Sequence, residues 1–238
     1  MATGVAIIGA LRASSPWFWP GVARGTALVL WSCSRVMPAG TLYLAVGRRA
    51  GIATLLWVCA FFLTLDYLVA PSAHDVLGLT PTQTGWALTA GGIGWSAVAI
   101  ACGARPAREP QAYRRRTMLA AVFFVVGTML MAVTVLEKAD WWGLPVGYGV
   151  ASIGMGLTHL DTMNRIVTDP AEPDGITHAQ AATAVTIAGA AGGAVLGTAT
   201  TAFVAPAAAG VEPSRLWPTL VLLAVGLLLT PLLARRAA

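Results

Sequence analysis

Six long apolar stretches, each near the length that a helix needs to cross a bilayer, constrain this chain more than any other feature. They are residues 50–70, 85–103, 117–136, 141–160, 178–205 and 214–234. A span needs about 20 mainly apolar residues to cross roughly 30 Å of hydrocarbon. Inside lipid each span must be helical, because a helix satisfies its own backbone polar groups. The sequence therefore predicts an all-α integral membrane protein built on a six-transmembrane-helix bundle.

The composition agrees with lipid as the solvent. Hydrophobic residues make up 57% of the 238 residues and charged residues only 11%, whereas a soluble domain has about 25% charged residues. A net charge of +5 is compatible with nucleic-acid binding in principle. The arginines, however, stand between apolar runs and form no stripe on one face, so we expect a lipid partner and no nucleic acid.

No pattern of catalytic or metal-binding residues is found in the sequence. Cys33, Cys59 and Cys102 are far apart and lack metal-ligand spacing. The motifs HExxH, G-x-S-x-G and the Walker loop are absent. The sequence therefore predicts no enzyme, no cofactor and no metal site.

The basic residues between the spans predict the orientation of the bundle. One set of alternating connections holds eleven arginines and the other set holds only Lys138 and Arg215. The eleven are Arg35, Arg48, Arg49, Arg105, Arg108, Arg114, Arg115, Arg116, Arg165, Arg235 and Arg236. Because cytoplasmic loops retain positive charge, we expect the arginine-rich connections and the C-terminus in the cytoplasm. Arginine in place of lysine, with abundant Ala and Gly, favours a bacterial cell membrane.

The N-terminal part of the chain has a weaker pattern. Residues 1–33 contain Pro20 and Arg24, and an arginine at mid-membrane costs about 2.5 to 3.5 kcal/mol on insertion scales. We therefore interpret residues 1–33 as a weak or truncated helical remnant. Residues 34–49 are then a cytoplasmic linker, 50–234 the bundle and 235–238 a cytoplasmic tail.

Asp66 is the only acidic residue deep inside a strong span. An ionisable group in hydrocarbon is costly and usually faces a cavity or a partner. We interpret Asp66 as a candidate for proton coupling or for binding a cationic substrate. The alternative is an interfacial carboxylate drawn toward the outer headgroups near Tyr67 and Pro71.

Two polar groups border the predicted cytoplasmic side. His159, Asp161 and Arg165 follow one another at the end of the fourth span, and they are candidates for a gate closed by a salt bridge or for a plain solvated helix end. The basic loop carries Arg105, Arg108, Arg114, Arg115 and Arg116. These arginines set the topology, and they are also able to bind another helix bundle or anionic lipid heads.

Gly189, Gly193 and Gly197 recur every four residues in the fifth span. Small residues at this spacing lie on nearly one helix face and let two backbones approach closely in lipid. The pattern predicts close packing inside the bundle, and self-association through the same stripe is the alternative.

Four stretches follow one another in a fixed order. They are RVMPAGTL (35–42), residues 61–95 with GLTPTQTGWAL (78–88), GARPAREPQAYRRR (103–116), and GYGVASIGMGLTHLDTMNRIV (147–167) with the Ala/Gly-rich run after it. In this order they resemble the C-terminal half of a major facilitator superfamily transporter of the actinobacterial drug-efflux type. There they are similar to the central linker, helices seven and eight with their outer loop, the basic loop between helices eight and nine, and helices ten and eleven. The glycine-proline antiporter motif of helix five and the full acidic-basic loop motif are absent.

The resemblance implies a half-transporter whose first, second, fourth and fifth strong spans line half of a cavity. It implies proton-coupled efflux of a small hydrophobic molecule, such as a drug or an antibiotic. One half cannot alternate access alone, so the partner is a second transporter half or a second copy of the chain. The alternative is a non-transporting membrane subunit or a degenerate transporter remnant.

Overall fold

The chain folds as a set of α-helices. The computed structural model describes residues 1–11, 13–168, 170, 173–205 and 210–237, and the regular secondary structure in these residues is helical. The helices are α1 (Ala2–Gly9), α2 (Phe18–Val36), α3 (Arg48–Pro71), α4 (Pro81–Ala104), α5 (Pro110–Glu137), α6 (Gly143–Val167), α7 (His178–Val204), α8 (Pro213–Leu228) and α9 (Thr230–Ala234). A π-helical turn, Ser72–Val76, extends α3, and a 3₁₀ turn, Thr41–Tyr43, precedes it.

Five segments are long and apolar enough to cross a membrane. They are Arg48–Val76, Pro81–Ala104, Pro110–Glu137, His178–Val204 and Pro213–Ala234. Five such helices indicate an all-α, multi-pass membrane protein. The remaining predicted span, 141–160, forms α6, which is 25 residues long but is not apolar enough by the same measure. The count of six transmembrane helices therefore stays a prediction.

The helices start where the sequence supplies caps. Thr80 and Gln83 form a capping box before α4, with Pro81 in its first turn, and Thr177 and Gln180 do the same before α7. In each box the threonine oxygen accepts from the backbone N–H three residues on, and the glutamine oxygen accepts from the threonine N–H. These bonds satisfy backbone donors that a helix N-terminus leaves open.

α6 is, with α3, one of the two most buried helices of the bundle, and it packs mainly against α5 and α4. A Cβ atom added at Gly154 would lie 2.8 Å from the carbonyl oxygen of Ala120 on α5. One added at Gly156 would lie 2.8 Å from the carbonyl oxygen of Trp95 on α4. Close backbone contact of this kind requires small residues. α6 is less apolar than its neighbours because polar residues occupy its last turns, namely His159, Asp161, Asn164 and Arg165.

The N-terminal residues form two helices that pack on each other and on α7. A Cβ at Gly4 of α1 would lie 2.6 Å from the carbonyl oxygen of Gly25 on α2. α2 continues three residues past the expected boundary at 33, to Val36, and ends because Pro38 forces Met37 into an extended conformation (ψ 153°). α3 begins at Arg48, two residues before the predicted start of the bundle.

Four connections meet at one end of the bundle, which we call the basic end. The N–H of Gly47 donates to the carbonyl oxygen of Arg236 at 2.9 Å, and Arg114 donates to the carbonyl oxygen of Arg235 at 3.4 Å. Arg165 donates to the carbonyl oxygen of Arg108 at 3.1 Å. The connections that were expected to share one side of the membrane are therefore neighbours in space.

Candidate functional site

Asp66 on α3 accepts a hydrogen bond from the hydroxyl of Tyr148 on α6. The side chain of Asp66 is half-buried. In the part of the chain that the structure describes, Asp66 forms no ion pair. The carboxylate is thus bound by a neutral donor from another helix, and no cation among the described residues compensates its charge.

Tyr148 is fixed in place by its neighbours. Its ring, 4% exposed, stacks on Phe62 of α3 with centroids 6.0 Å apart and planes 15° apart. On the other side, a Cβ at Gly91 of α4 would overlap the Tyr148 ring. Sequence reasoning missed this tyrosine, although a phenol inside an apolar helix signals that a polar partner must lie near its hydroxyl.

His159 lies apart from the residues with which it was grouped. Its ring meets Trp95 of α4 edge to face, with centroids 5.5 Å apart and planes at 72°. Trp95 in turn meets Phe62 edge to face at 5.8 Å. His159 therefore belongs to a row of aromatic side chains that leads from α6 to the Asp66–Tyr148 pair.

Asp161 binds the loop between α4 and α5. It is 2% exposed, and its Oδ2 accepts from Nη1 of Arg116 at 2.7 Å. Its Oδ1 accepts from the backbone N–H of Ala107 at 3.1 Å. A carboxylate buried in this way, with a charged and a backbone donor, is a tertiary contact and not a solvated helix end.

Arg165 holds the same loop from its other side. Its Nη2 donates to the carbonyl oxygens of Ala107 at 3.2 Å and Arg108 at 3.1 Å. Its guanidinium carbon lies 4.4 Å from the centre of the buried Tyr113 ring, a cation–π distance. Asp161 and Arg165 thus bind successive groups of the α4–α5 loop, and the ion pair of Asp161 is formed with Arg116.

The five arginines of the basic loop divide into two groups. The side chains of Arg105, Arg108, Arg114 and Arg115 are exposed. Arg116 is 25% exposed and turns inward, where it binds Asp161 and the carbonyl oxygen of Arg105. Among the described residues, Arg116 is the member of this set that forms an ion pair, and Arg114 donates to the carbonyl oxygen of Arg235.

The glycine stripe of α7 packs on α3 over part of its length. A Cβ at Gly193 would lie 2.9 Å from Cβ of Leu63, and one at Gly197 would overlap the ring of Tyr67. Gly189 has nothing within 4 Å, whereas Gly192 lies against α3, with a Cβ there 2.6 Å from the carbonyl oxygen of Leu56. The face of α7 that packs on α3 therefore includes Gly192, Gly193 and Gly197 but not Gly189. Sequence spacing alone does not determine which side chains meet across two helices.

Arg48 and Asp174 form a further charged contact that the sequence analysis did not identify. Arg48 is 6% exposed and donates from Nε at 2.8 Å and from Nη2 at 2.5 Å to the carboxylate of Asp174. Nη2 also donates to the carbonyl oxygen of Ile176 at 2.6 Å. This fork fastens the start of α3 to the connection that precedes α7.

The hydrogen bonds from Arg48 hold the pKa of the Asp174 carboxyl well below its usual value. A depressed folded-state pKa stabilises the protein above the unfolded pKa of about 3.9, and this contribution is lost as the pH falls through the folded value. We expect Asp174→Asn to lower the melting temperature in detergent at pH 7. The difference from wild type should shrink below about pH 4. A difference that is the same at pH 7 and pH 3 would contradict this account.

Comparison with known proteins adds no relative. No protein-family model matches the chain, and no curated protein matches it. Among the described residues, no group of three or more His, Cys, Asp and Glu side chains is placed to hold a metal ion. The functional assignment therefore depends on the contacts within the chain itself.

Proposed function

We propose that this chain is one half of a secondary transporter and exports a small hydrophobic molecule, such as a drug or an antibiotic, by exchange for protons. A second half, from another chain or a second copy, completes the transport path. The observation that carries the proposal is the Asp66–Tyr148 hydrogen bond between two helices of the bundle. A carboxylate at this position is able to bind a proton or a cationic substrate and release it when the surroundings change.

The outer surfaces of the helices support a path beside α7. α5 and α8 present large apolar side chains, such as Val122 at 56% and Leu222 at 68% exposure, as lipid contact requires. α4 also exposes large apolar side chains, among them Ile93 and Ile100. α7 instead exposes the small or polar residues Ala182, Thr183 and Thr186. Such a surface suits a cavity or another protein better than lipid tails.

The packing of the helices supports an internal repeat of three plus three. α4 packs along α6, and α7 packs along α3, while α3 also contacts α6 and α5 contacts α8. Exchanging α3, α4 and α5 for α6, α7 and α8 leaves this set of contacts unchanged, but the extensive α5–α6 contact has only a small counterpart between α8 and α3. Repeats of this kind are common in secondary transporters, whose binding sites lie near the repeat interface. α6 is then the sixth transmembrane helix, shielded from lipid by α4 and α5.

The orientation proposed is that of a bacterial plasma-membrane protein with the basic end in the cytoplasm. Ten arginines from α3, the α4–α5 loop, the start of α5, the end of α6 and the C-terminus belong to this end, and they are Arg48, Arg49, Arg105, Arg108, Arg114, Arg115, Arg116, Arg165, Arg235 and Arg236. The opposite connections carry Lys138 and Arg215 together with the exposed Trp142 and Trp217. This is the distribution that the positive-inside rule and interfacial tryptophan predict.

Asp66→Asn tests the proposal. The substitution keeps the size of the side chain and its ability to accept from Tyr148, but it removes the titratable group. In cells that need the chain for resistance to a lipophilic toxic compound, we expect proton-dependent efflux to fall at least about tenfold, the effect of losing roughly 1.4 kcal/mol of coupling. The amount of protein in the membrane should not change.

Asp75→Asn is the matched control, because Asp75 is an exposed carboxylate that accepts from the backbone N–H of Val211 in the opposite connections. It should leave efflux unchanged. Tyr148→Phe keeps the stacked ring and removes the donor, so it should shift the pH dependence of efflux. If Asp66→Asn leaves efflux intact in a system that requires the chain, the transport role is wrong and a non-transporting subunit is favoured.

A further inference from the structure

A cavity of about 920 Å³ opens at the basic end. It lies between the α4–α5 loop, the last turns of α6 and the start of α3, and its lining includes Arg108, Asn164, Arg165 and Thr168. Its volume lies in the range of small-molecule sites, about 300 to 1,000 Å³. It is thus large enough for a phosphate ester.

Among the described residues, the carboxylate that lines this cavity is that of Asp161, and its charge is already neutralised. Asp161 is bound to Arg116 and to the backbone N–H of Ala107. Arg48, which also lines the cavity, is paired with Asp174. These two ion pairs cancel in charge, so the remaining charges of the lining decide what it attracts.

Two arginines of the lining keep an uncompensated positive charge among the described residues. Arg165 donates from Nη2 to two neutral carbonyl oxygens, and its Nε is buried with no hydrogen-bond partner. The exposed guanidinium of Arg108 forms no hydrogen bond or ion pair with the residues that the structure describes. An anion in the cavity would compensate both charges.

Neutral donors lie beside these two cations. Asn164 lies in the last turn of α6, and Thr168 directly follows the helix end, where its backbone N–H donates to the carbonyl oxygen of Asn164 at 2.9 Å. Both residues line the cavity. The N-terminus of α3, at Gly47 and Arg48, also borders the cavity and contributes the positive end of a helix dipole. The C-terminus of α6 contributes the negative end of a helix dipole, which disfavours an anion. The positive charge of Arg165, which lies in that last turn, opposes this effect.

We propose that this cavity binds a phosphate oxyanion through Arg108, Arg165 and Asn164. Guanidinium groups and amide donors match the geometry of phosphate oxygens. The phosphate can belong to the headgroup of an anionic lipid or to a soluble phosphorylated compound, because the cavity lies at the end of the bundle and is open. The proposal does not depend on the transport role, since binding is measured on the purified chain.

Arg108→Gln and Arg115→Gln are the matched pair that tests it. Both positions are exposed arginines of the same basic loop, and both substitutions remove one charge, but only Arg108 lines the cavity. The backbone carbonyl of Arg108, which binds Arg165, is kept in the variant. The melting temperature of the full chain in detergent is measured against inorganic phosphate, with chloride at equal ionic strength as reference. A second series uses nanodiscs of phosphatidylglycerol or phosphatidylcholine.

We expect stabilisation by phosphate, by phosphatidylglycerol or by both. Arg108→Gln should raise the apparent dissociation constant for the stabilising phosphate compound about tenfold or more. Arg115→Gln should raise it less than about twofold. Asn164→Asp, which places a repelling charge at the site, should abolish the effect. Stabilisation by inorganic phosphate indicates a soluble source, and stabilisation by phosphatidylglycerol alone indicates a lipid headgroup. No stabilisation by either, or equal losses in Arg108→Gln and Arg115→Gln, would overturn the proposal.

Discussion

Asp161→Ala is expected to lower the free energy of unfolding by about 3 kcal/mol, the lower end of the range for breaking a buried ion pair. The carboxylate is 2% exposed, and its removal takes away the ion-pair partner of Arg116 and the acceptor of the Ala107 N–H, whereas the bond from Arg116 to the carbonyl oxygen of Arg105 remains. The lower end applies because the Arg116 side chain is 25% exposed. Equilibrium unfolding in mixed detergent micelles measures the change.

Two further variants separate this effect from a general loss of charge. Glu212→Ala removes the acid of an exposed pair with Arg215, with exposures of 45% and 31%, and it should cost less than about 1 kcal/mol. Arg116→Ala in the Asp161→Ala background should cost little more than Asp161→Ala alone, because the cation is no longer left unpaired. Equal costs for Asp161→Ala and Glu212→Ala would contradict the described contacts.

Gly127→Ala is expected to destabilise the bundle by about 3 kcal/mol, at the upper end for overpacking. Gly127 on α5 faces α6, and a Cβ there would overlap the backbone nitrogen of Ala151 and the carbonyl oxygen of Gly147. Both are backbone atoms of a helix, so no side chain can rotate to make room. α5 and α6 must move apart along their whole contact. The melting temperatures of the variant and the wild type in detergent check the prediction, and that of Gly127→Ala should be lower.

Gly92→Ala on α4 is the control, because a Cβ there has nothing within 4 Å. Alanine favours the helix over glycine by up to about 1 kcal/mol. This variant should therefore keep or slightly raise the stability of the bundle. The opposite signs expected for Gly127→Ala and Gly92→Ala come from the described packing, and equal effects would argue against it.

The helical, membrane-spanning character of the chain could be predicted because it depends on local composition. The spans 117–136 and 178–205 lie within or close to α5 (Pro110–Glu137) and α7 (His178–Val204). α4 and α5 begin before the predicted spans, at Pro81 and Pro110, because proline and capping residues, and not the first apolar residue, determine where a helix starts. α6 was treated as an ordinary apolar span, but its glycines reflect contacts with two neighbouring helices.

The contacts of the candidate site were harder to predict because they join distant parts of the chain. Asp66 could be singled out as a lone acid in an apolar run, but its partner Tyr148 lies 82 residues away. Arg48 and Asp174 are 126 residues apart. His159 and Asp161 are neighbours in sequence, yet their contacts lie with α4 and with the α4–α5 loop. Such pairings depend on the relative rotation of helices, which local composition does not encode.

Labelling of single cysteines with a membrane-impermeant maleimide tests the central claim most directly. The three native cysteines are buried and are replaced by alanine. New cysteines are placed at Arg115 near the start of α5, Asp140 between α5 and α6, and Pro173 after α6. The account predicts labelling of Asp140→Cys in intact cells, and labelling of Arg115→Cys and Pro173→Cys only after permeabilisation. Labelling of Pro173→Cys in intact cells would show that α6 does not cross, and equal labelling of all three positions would contradict a membrane-spanning bundle.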